Sequence, residues 1–313
     1  MLTALLSRPP GSIGGNRTTA LRWARILRAE GWSVRRAPSH RGGPVHLVVA
    51  LHAVRTRPEV ERLMDLHPKA RLVVACSGTD IYEDLAAAQP LLDRADRIVV
   101  LQEAALAALT PAQVGRARVI HQSSAPRRSG AAPDGPRTLF AVVANVRAVK
   151  DPLLPAAATR LLPGSSGARV VHVGAGLDEA LTERVRRESA SNPRYEWRGP
   201  VPRAEALELL ARAAAVVIPS RSEGGANVVT EALGQGCPIL ATRVPGNTGL
   251  LGDDHPGLFA PGDAADLARL MERVEGDAAF HGALVRRSTE QAHLASPERE
   301  TRAWRELLAE LVP

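Results

Sequence analysis

The stretch PSRSEGGANVVTEALGQGCP, residues 219–238, decides how this chain is read. The apolar run Ala215–Pro219 enters it and Pro238–Thr242 leaves it, both of a length that suits buried strands. Between them lies a loop with two glycines, then a helical pattern over Asn227–Gly234 that Asn227 can cap. Gly236 and Pro238 stop that helix before the next strand. Such a loop leaves backbone N–H groups free at a helix N-terminus, which suits a phosphate or a sugar hydroxyl. Glu223 on the loop and Glu231 in the helix are separated by seven residues. Carboxylates accept hydrogen bonds from vicinal hydroxyls, so the two can grip two different sugar rings. The plain alternative is an ordinary strand–turn–helix with two solvated acids.

The same alternation runs outward in both directions. Strand-like runs such as Val45–Leu51, Arg71–Cys76, Arg97–Leu101, Val119–His121, Leu139–Ala144 and Arg169–Val173 alternate with amphipathic stretches. Those stretches include Thr18–Glu30, Pro58–Leu66, Glu83–Leu92, Gln102–Leu109, Pro152–Leu162, Asp178–Ala190 and Arg203–Arg212. Near-continuous Val/Ile/Leu strands require a sheet covered on both faces. Strict alternation is the βαβ pattern of a doubly wound α/β fold. The Pro- and Gly-rich segment Ala125–Pro136 reads as a linker. The expected organisation is therefore two Rossmann-like domains, 1–130 and 131–295, facing across a cleft that holds the ligand. A last amphipathic segment, within 296–313, is expected to pack back on the first.

Length and composition agree with two soluble domains: 313 residues, 45% hydrophobic and 23% charged. Aromatics make up only 3%, so the cores must be aliphatic. The net charge is +7, but 38 of the 40 basic residues are Arg, and the doublets Arg35-Arg36, Arg127-Arg128, Arg186-Arg187 and Arg286-Arg287 are scattered among acids. That is not the basic stripe of a nucleic-acid binder, so no nucleic-acid partner is expected. No apolar run approaches the ~20 residues of a membrane span, and Met1–Leu6 is too short for a secretory signal, so a cytoplasmic protein without a membrane partner is expected. Cys76 and Cys237 border apolar runs and read as core residues, with Cys76 a poor candidate nucleophile. The only two lysines are Lys69, on a turn after Pro68, and Lys150.

Four further segments carry candidate chemistry. Asn145-Val146-Arg147-Ala148-Val149-Lys150 follows the strand Leu139–Ala144 and places two cations at a strand end, or else is a solvated loop. Val173-Gly174-Ala175-Gly176 is equally a wall of a ligand site or a tight turn. Gly14-Gly15-Asn16-Arg17-Thr18, before the first helix, forms an anion site or a simple turn and cap. It lacks the Gly-Lys-Ser/Thr ending of a P-loop. Finally, His52 and Asp80 end two strands, where they can orient an acceptor, move a proton or serve structure alone.

The 223–231 pattern resembles the E-x7-E signature of retaining glycosyltransferases of the GT-B fold, in the GT4-like family. The resemblance implies that Glu231 holds the nucleotide ribose. It also implies that Glu223, with Gly224, Gly225, Ala226, Asn227 and Gly174, serves the donor sugar and diphosphate. The family often has an aromatic after the first Glu-Gly, where this chain has Gly225. Arg147 and Lys150 match the family's Arg/Lys pair, which neutralises the departing diphosphate. Catalysis would thus fall to Arg147, Lys150 and Glu223. Acceptor or phosphate binding would fall to Gly14, Gly15, Asn16, Arg17, Thr18, His52 and Asp80. No Asp-x-Asp is present, so neither a metal nor a cofactor beyond the UDP-sugar substrate is expected.

Three segments together, GGNRTTALRW (14–23), SGTDIY (77–82) and EGGANVVTEA (223–232), look like a narrower branch, the bacterial selenosugar synthases of selenoneine biosynthesis. That resemblance implies transfer of N-acetylglucosamine or glucose from a UDP-sugar to selenophosphate, giving a 1-seleno-sugar with release of UDP and phosphate. It also implies a functional link to selenophosphate synthetase and selenoneine synthase. The competing readings are a GT4-like transferase using a thiol or hydroxyl acceptor, a nucleotide-sugar epimerase on the same fold, and an Arg-rich nucleic-acid binder.

Overall fold

The computed structural model describes residues 2–11, 14–37, 40, 42–126 and 137–311. The linker reading of Ala125–Pro136 therefore lies almost wholly outside the described residues, as does the Arg127-Arg128 doublet. The chain forms two compact units, and contacts group residues 1–122 with 223–225 and 297–313, and residues 123–222 with 226–296.

The first unit is built on the strands β1 (Thr3–Ser7), β2 (Ser33–Arg36), β3 (Leu47–Leu51), β4 (Arg71–Ala75), β5 (Arg97–Val100) and β6 (Ala117–Val119). They form one parallel sheet in the order β2-β1-β3-β4-β5-β6. All five residues of β3 are buried, because helices cover both faces. Leu47, Val49 and Leu51 pack with Trp23 and Leu27, whereas Val48 and Ala50 pack with Leu63 and Leu91. The C-terminal helix Pro297–Leu311 completes the first of these layers. Its Trp304 meets Trp23 edge-on at 4.9 Å between ring centroids. Buried Glu300 accepts from Trp23 Nε1 at 2.7 Å and pairs with Arg22 at 2.8 Å, so its charge is compensated where water is excluded.

The second unit carries β7 (Leu139–Val143), β8 (Arg169–Val173), β9 (Tyr195–Trp197), β10 (Ala215–Ile218), β11 (Ile239–Thr242) and β12 (Leu258–Phe259), again all parallel. Their order, β12-β11-β10-β7-β8-β9, reverses direction between β7 and β10. The chain grows outward from β7 to one edge, then returns to lay β10 on the other side. Loops leaving β7 and β10 therefore diverge at the centre of the sheet, where open α/β sheets place ligands.

Several elements depart from expectation. Strand β6 begins two residues before the expected Val119, and His121 lies beyond its end. A capping box of Thr110 and Gln113 turns the chain early and starts that strand sooner. Glu83–Leu92 is not one helix: Thr79–Tyr82 forms a single turn, and the helix proper is Leu85–Arg94. Within Gln102–Leu109 the structure has a 3-10 segment, Glu103–Ala108, capped by the Gln102 side chain. No helix among the described residues is long and apolar enough to cross a membrane.

Candidate functional site

The loop after β7 is laced to the loop after β8. Ala144 donates its N–H to the Val173 carbonyl at 3.0 Å, and Val146 donates to Ala175 at 2.9 Å. The Asn145 side-chain oxygen accepts from the Ala175 N–H at 2.9 Å. Gly174 makes this approach possible. Its φ is +152°, and a Cβ there would stand 1.9 Å from the Ala144 carbonyl oxygen. The residue is obligatory for packing, whatever else it contacts. Beyond this clasp, Arg147 caps a 3-10 turn, Ala148–Lys150, and Asp151 takes a left-handed conformation at φ 42°. Arg147 and Lys150 are both partly exposed.

A buried brace holds the two ends of this loop from beneath. His172, on β8, sits with Nε2 2.8 Å from the Ala144 carbonyl, so that nitrogen carries the proton and donates. The Tyr195 hydroxyl lies 2.7 Å from His172 Nδ1 and 3.1 Å from the Pro152 carbonyl, and shares its one proton between these acceptors. Burial pushes the Tyr195 phenol up and His172 down to about 4. Neither residue is among the expected site residues, although a His set among the valines of RVVHV is a visible signal. Tyr195→Phe leaves His172 Nδ1 buried without a donor. It is expected to cost about 1–3 kcal/mol in urea unfolding.

His172 also gives stability a pH dependence, together with His255, which burial likewise pushes down to about 4. In each case the folded pKa lies below the unfolded value of about 6.5. The unfolded chain therefore takes up protons first as pH falls. Stability is full above pH ~6.5 and drains toward pH ~4, by roughly 3 kcal/mol for each histidine over that window. Urea midpoints at pH 7.5 and 4.5 should show the drop, and His172→Gln should lessen it.

The loop after β10 meets the β7 loop directly. Arg221 donates its N–H to the Val149 carbonyl at 2.8 Å, and its guanidinium pairs with Asp151 at 2.7 Å. Thr242 of β11 donates to the Ser220 carbonyl at 2.5 Å. The helix that follows is Asn227–Gln235. The expectation that Asn227 caps it needs correcting: extended Ala226 holds the N-cap position without a side-chain bond, and Asn227 is the first helical residue. Gly236, left-handed at φ 67°, ends the helix. Glu231 projects from its second turn and is mostly buried, and Arg203 pairs with it at 3.0 Å. Arg203, Arg221 and Asp151 escape sequence reading, since in an Arg-rich chain nothing local marks them.

Glu223–Gly225 group with the first unit, and Glu223 is buried. A Cβ on Gly224 would lie 2.4 Å from Gly78 Cα, and one on Gly225 would lie 2.5 Å from Leu101 Cβ. That contact explains why this chain has no aromatic at 225.

In the first unit, Gly14 precedes the helix Gly15–Ala29 at φ 86°, and Thr18 donates its N–H to the Gly14 carbonyl at 3.0 Å. Arg17 is exposed, while Asn16 and Thr18 are half-buried; Ser12 and Ile13 of the same loop lie outside the described residues. The expected role of Asp80 in meeting an acceptor is corrected. It is fully buried, with Oδ1 accepting from the N–H groups of Ser77 and Gly78 and Oδ2 from that of Ala53, each at 2.8 Å. It ties together the loops after β3 and β4. His52 is buried beside it at a left-handed φ of 84°. Its Nδ1 accepts from the Arg55 N–H at 3.3 Å, so Nε2 bears the proton and faces Thr79 Oγ at 3.0 Å. Burial lowers its pKa, which keeps the imidazole neutral.

Both cysteines are buried free thiols. Burial pushes Cys76 well up and Cys237 to about 12, which removes thiolate chemistry. Among the described residues, no group of three or more His, Cys, Asp or Glu is placed to hold a metal ion.

Residues 138–277 match the family model "Glycosyl transferases group 1". A D-inositol 3-phosphate glycosyltransferase of Nocardioides sp. is 29% identical over 168 residues, which are 53% of this chain and 37% of that protein. The chain thus spans well under half the length of this curated relative. Among solved structures, Anabaena HepE in complex with UDP and glucose superposes with a TM-score of 0.79 at 15% identity, over 99% of this chain and 100% of that one. Sucrose-phosphate synthase from Thermosynechococcus elongatus gives 0.80 at 17%, over 99% of each chain. The chain therefore has the GT-B fold, and its second unit matches the group 1 glycosyltransferases.

Proposed function

We propose that this protein transfers a sugar, N-acetylglucosamine or glucose, from a UDP-sugar to selenophosphate, without a metal. The observation that carries the transferase reading is the junction between the β7 and β10 loops. At the switch point of the second sheet, Arg221 ties the turn bearing Arg147 and Lys150 to the loop that leads into the Glu231 helix. Cations beside a helix N-terminus suit a diphosphate, and a carboxylate one turn on suits a ribose. HepE, of the same fold, is seen with UDP and glucose.

In this reading Glu231 binds the ribose, while Glu223 and the amides of Gly224, Gly225, Ala226 and Asn227 serve the donor sugar and diphosphate. Gly174 holds the loop that carries the cations. As the anomeric C–O bond breaks, negative charge grows on the departing UDP, and Arg147 and Lys150 stabilise it. A C–Se bond forms, and water cleaves the Se–P bond to release phosphate. Gly14, Gly15, Asn16, Arg17 and Thr18 receive the anionic acceptor, while His52 and Asp80 brace the loops after β3 and β4. The segments 14–23, 77–82 and 223–232 support selenophosphate as that acceptor by their resemblance to selenosugar synthases. Supply by selenophosphate synthetase and use by selenoneine synthase follow from the same reading.

One observation favours a second reading, a hydroxyl acceptor: the Nocardioides relative is named for D-inositol 3-phosphate. Mass spectrometry of products from UDP-N-acetylglucosamine separates them. Selenophosphate should give the selenosugar and UDP. No UDP release with selenophosphate, alongside turnover with cysteine, malate, a sugar or inositol phosphate, would replace it with the second reading.

A further inference from the structure

The first unit holds a pocket of about 430 Å3 beside β1, β2 and the helix Gly15–Ala29, within the ~300–1,000 Å3 of small-molecule sites. Leu6, Ala20, Ala24 and Val34 are buried and make an apolar floor, which Leu21, 57% exposed, extends toward solvent. Among the described residues, five arginines line the same space: Arg8, Arg17, Arg28, Arg35 and Arg36. They come from three places in the chain, namely the loop after β1, one face of the helix, and the end of edge strand β2. Among the described residues, no acidic side chain lines the pocket. Elsewhere in this unit arginines find carboxylates, as Arg97 and Arg118 do on Glu310 and Arg305 does on Glu30. Arg17, Arg28, Arg35 and Arg36 form no such pair among the described residues, and Arg28 is steered by donating to the Val34 carbonyl at 3.0 Å. Like charges drawn around one concavity repel unless an anion sits among them.

We propose that this pocket binds an organic phosphate monoester, its phosphate held by the arginines and its apolar part laid on the Leu6–Ala24–Val34 floor and Leu21. Guanidinium groups suit phosphate because they bind it through paired, charge-assisted hydrogen bonds. The volume favours a phosphate carrying an organic body over the bare ion, and the concavity favours a small molecule over a flat anionic surface. The site goes beyond the proposed transfer reaction and does not depend on it; only Arg17 is shared with the acceptor loop.

The test is isothermal titration of the full chain with phenyl phosphate and with inorganic phosphate, in saturating UDP so that any diphosphate site is filled. Phenyl phosphate should bind at least about tenfold more tightly than phosphate. The Arg35→Ala/Arg36→Ala double variant should weaken both by about tenfold or more. Leu21→Ser should weaken only phenyl phosphate. All three substituted residues are exposed, so circular dichroism and melting should match wild type. No binding, equal affinities for the two ligands, or unchanged affinity in the double variant would overturn the proposal. So would Arg35/Arg36-dependent sedimentation with phosphatidylglycerol vesicles that phenyl phosphate does not compete away, which would mark a membrane surface instead.

Discussion

Lys150→Ala is expected to lower the turnover of UDP-sugar by about 10²–10³-fold, the loss typical of removing one preorganised group that stabilises developing charge. Lys150 ends the short 3-10 turn that Arg147 begins, and the turn is fixed on both sides. Arg221 grips it through the Val149 carbonyl and Asp151, while His172 and Tyr195 hold Ala144 and Pro152 beneath it. In the proposed reaction, a turn whose backbone is held so firmly needs little reorganisation as charge develops on the diphosphate. Lys150→Arg should recover part of the rate, since the charge returns with a different reach and geometry. Lys69→Ala, on an exposed turn, should have no effect and serves as the control for simple loss of a lysine. Because Lys150 is partly exposed, the Ala variant should melt close to wild type, so a rate loss reads as chemistry. Wild-type turnover in Lys150→Ala would remove the diphosphate role.

Gly174→Ala is expected to be the most damaging single methyl group in the second unit. Its Cβ would stand 1.9 Å from the Ala144 carbonyl oxygen and 2.4 Å from the carbonyl carbon, both backbone atoms that cannot swing aside as a side chain would. The φ of +152° adds strain of its own. The β7 loop must then part from the β8 loop, and the cost should exceed about 3 kcal/mol. Gly236→Ala provides the contrast. Its φ is also positive, at +67°, but nothing lies within 4 Å of the added Cβ, so about 1 kcal/mol is expected. Urea unfolding of both variants measures the difference. Equal losses would mean that the clasp between the loops is not what Gly174 secures. Any Gly174→Ala protein that folds should also lose activity, because Arg147 and Lys150 ride on the displaced loop.

The alternation of strand and helix was legible because buried parallel strands leave little freedom: β8, Arg169–Val173, and the helix Arg203–Arg212 match to the residue. Three of the strands that escaped are short and lie at sheet edges. Strand β2 buries only Val34, and β9 and β12 run to three and two residues, too few to show a period. The helices Pro245–Leu251, Ala264–Gly276 and Ala278–Gln291 also went unassigned. At the candidate site, Glu223 and Glu231 stood out by spacing along the chain, and Arg147 and Lys150 by their place after a strand and by family resemblance. The residues that join them, Arg221 to Asp151 and His172 to Tyr195, act between segments far apart in sequence, and only the strand order brings them together. Asp80 shows the converse: a polar residue at a strand end looks like ligand chemistry until its three backbone donors are counted.

Isothermal titration of UDP tests the proposed donor site of the second unit most directly. Wild type should bind UDP, Glu231→Ala should lose at least about tenfold in affinity through the ribose, and Lys150→Ala a similar factor through the diphosphate. Absence of UDP binding, or the same affinity in all three proteins, would contradict it.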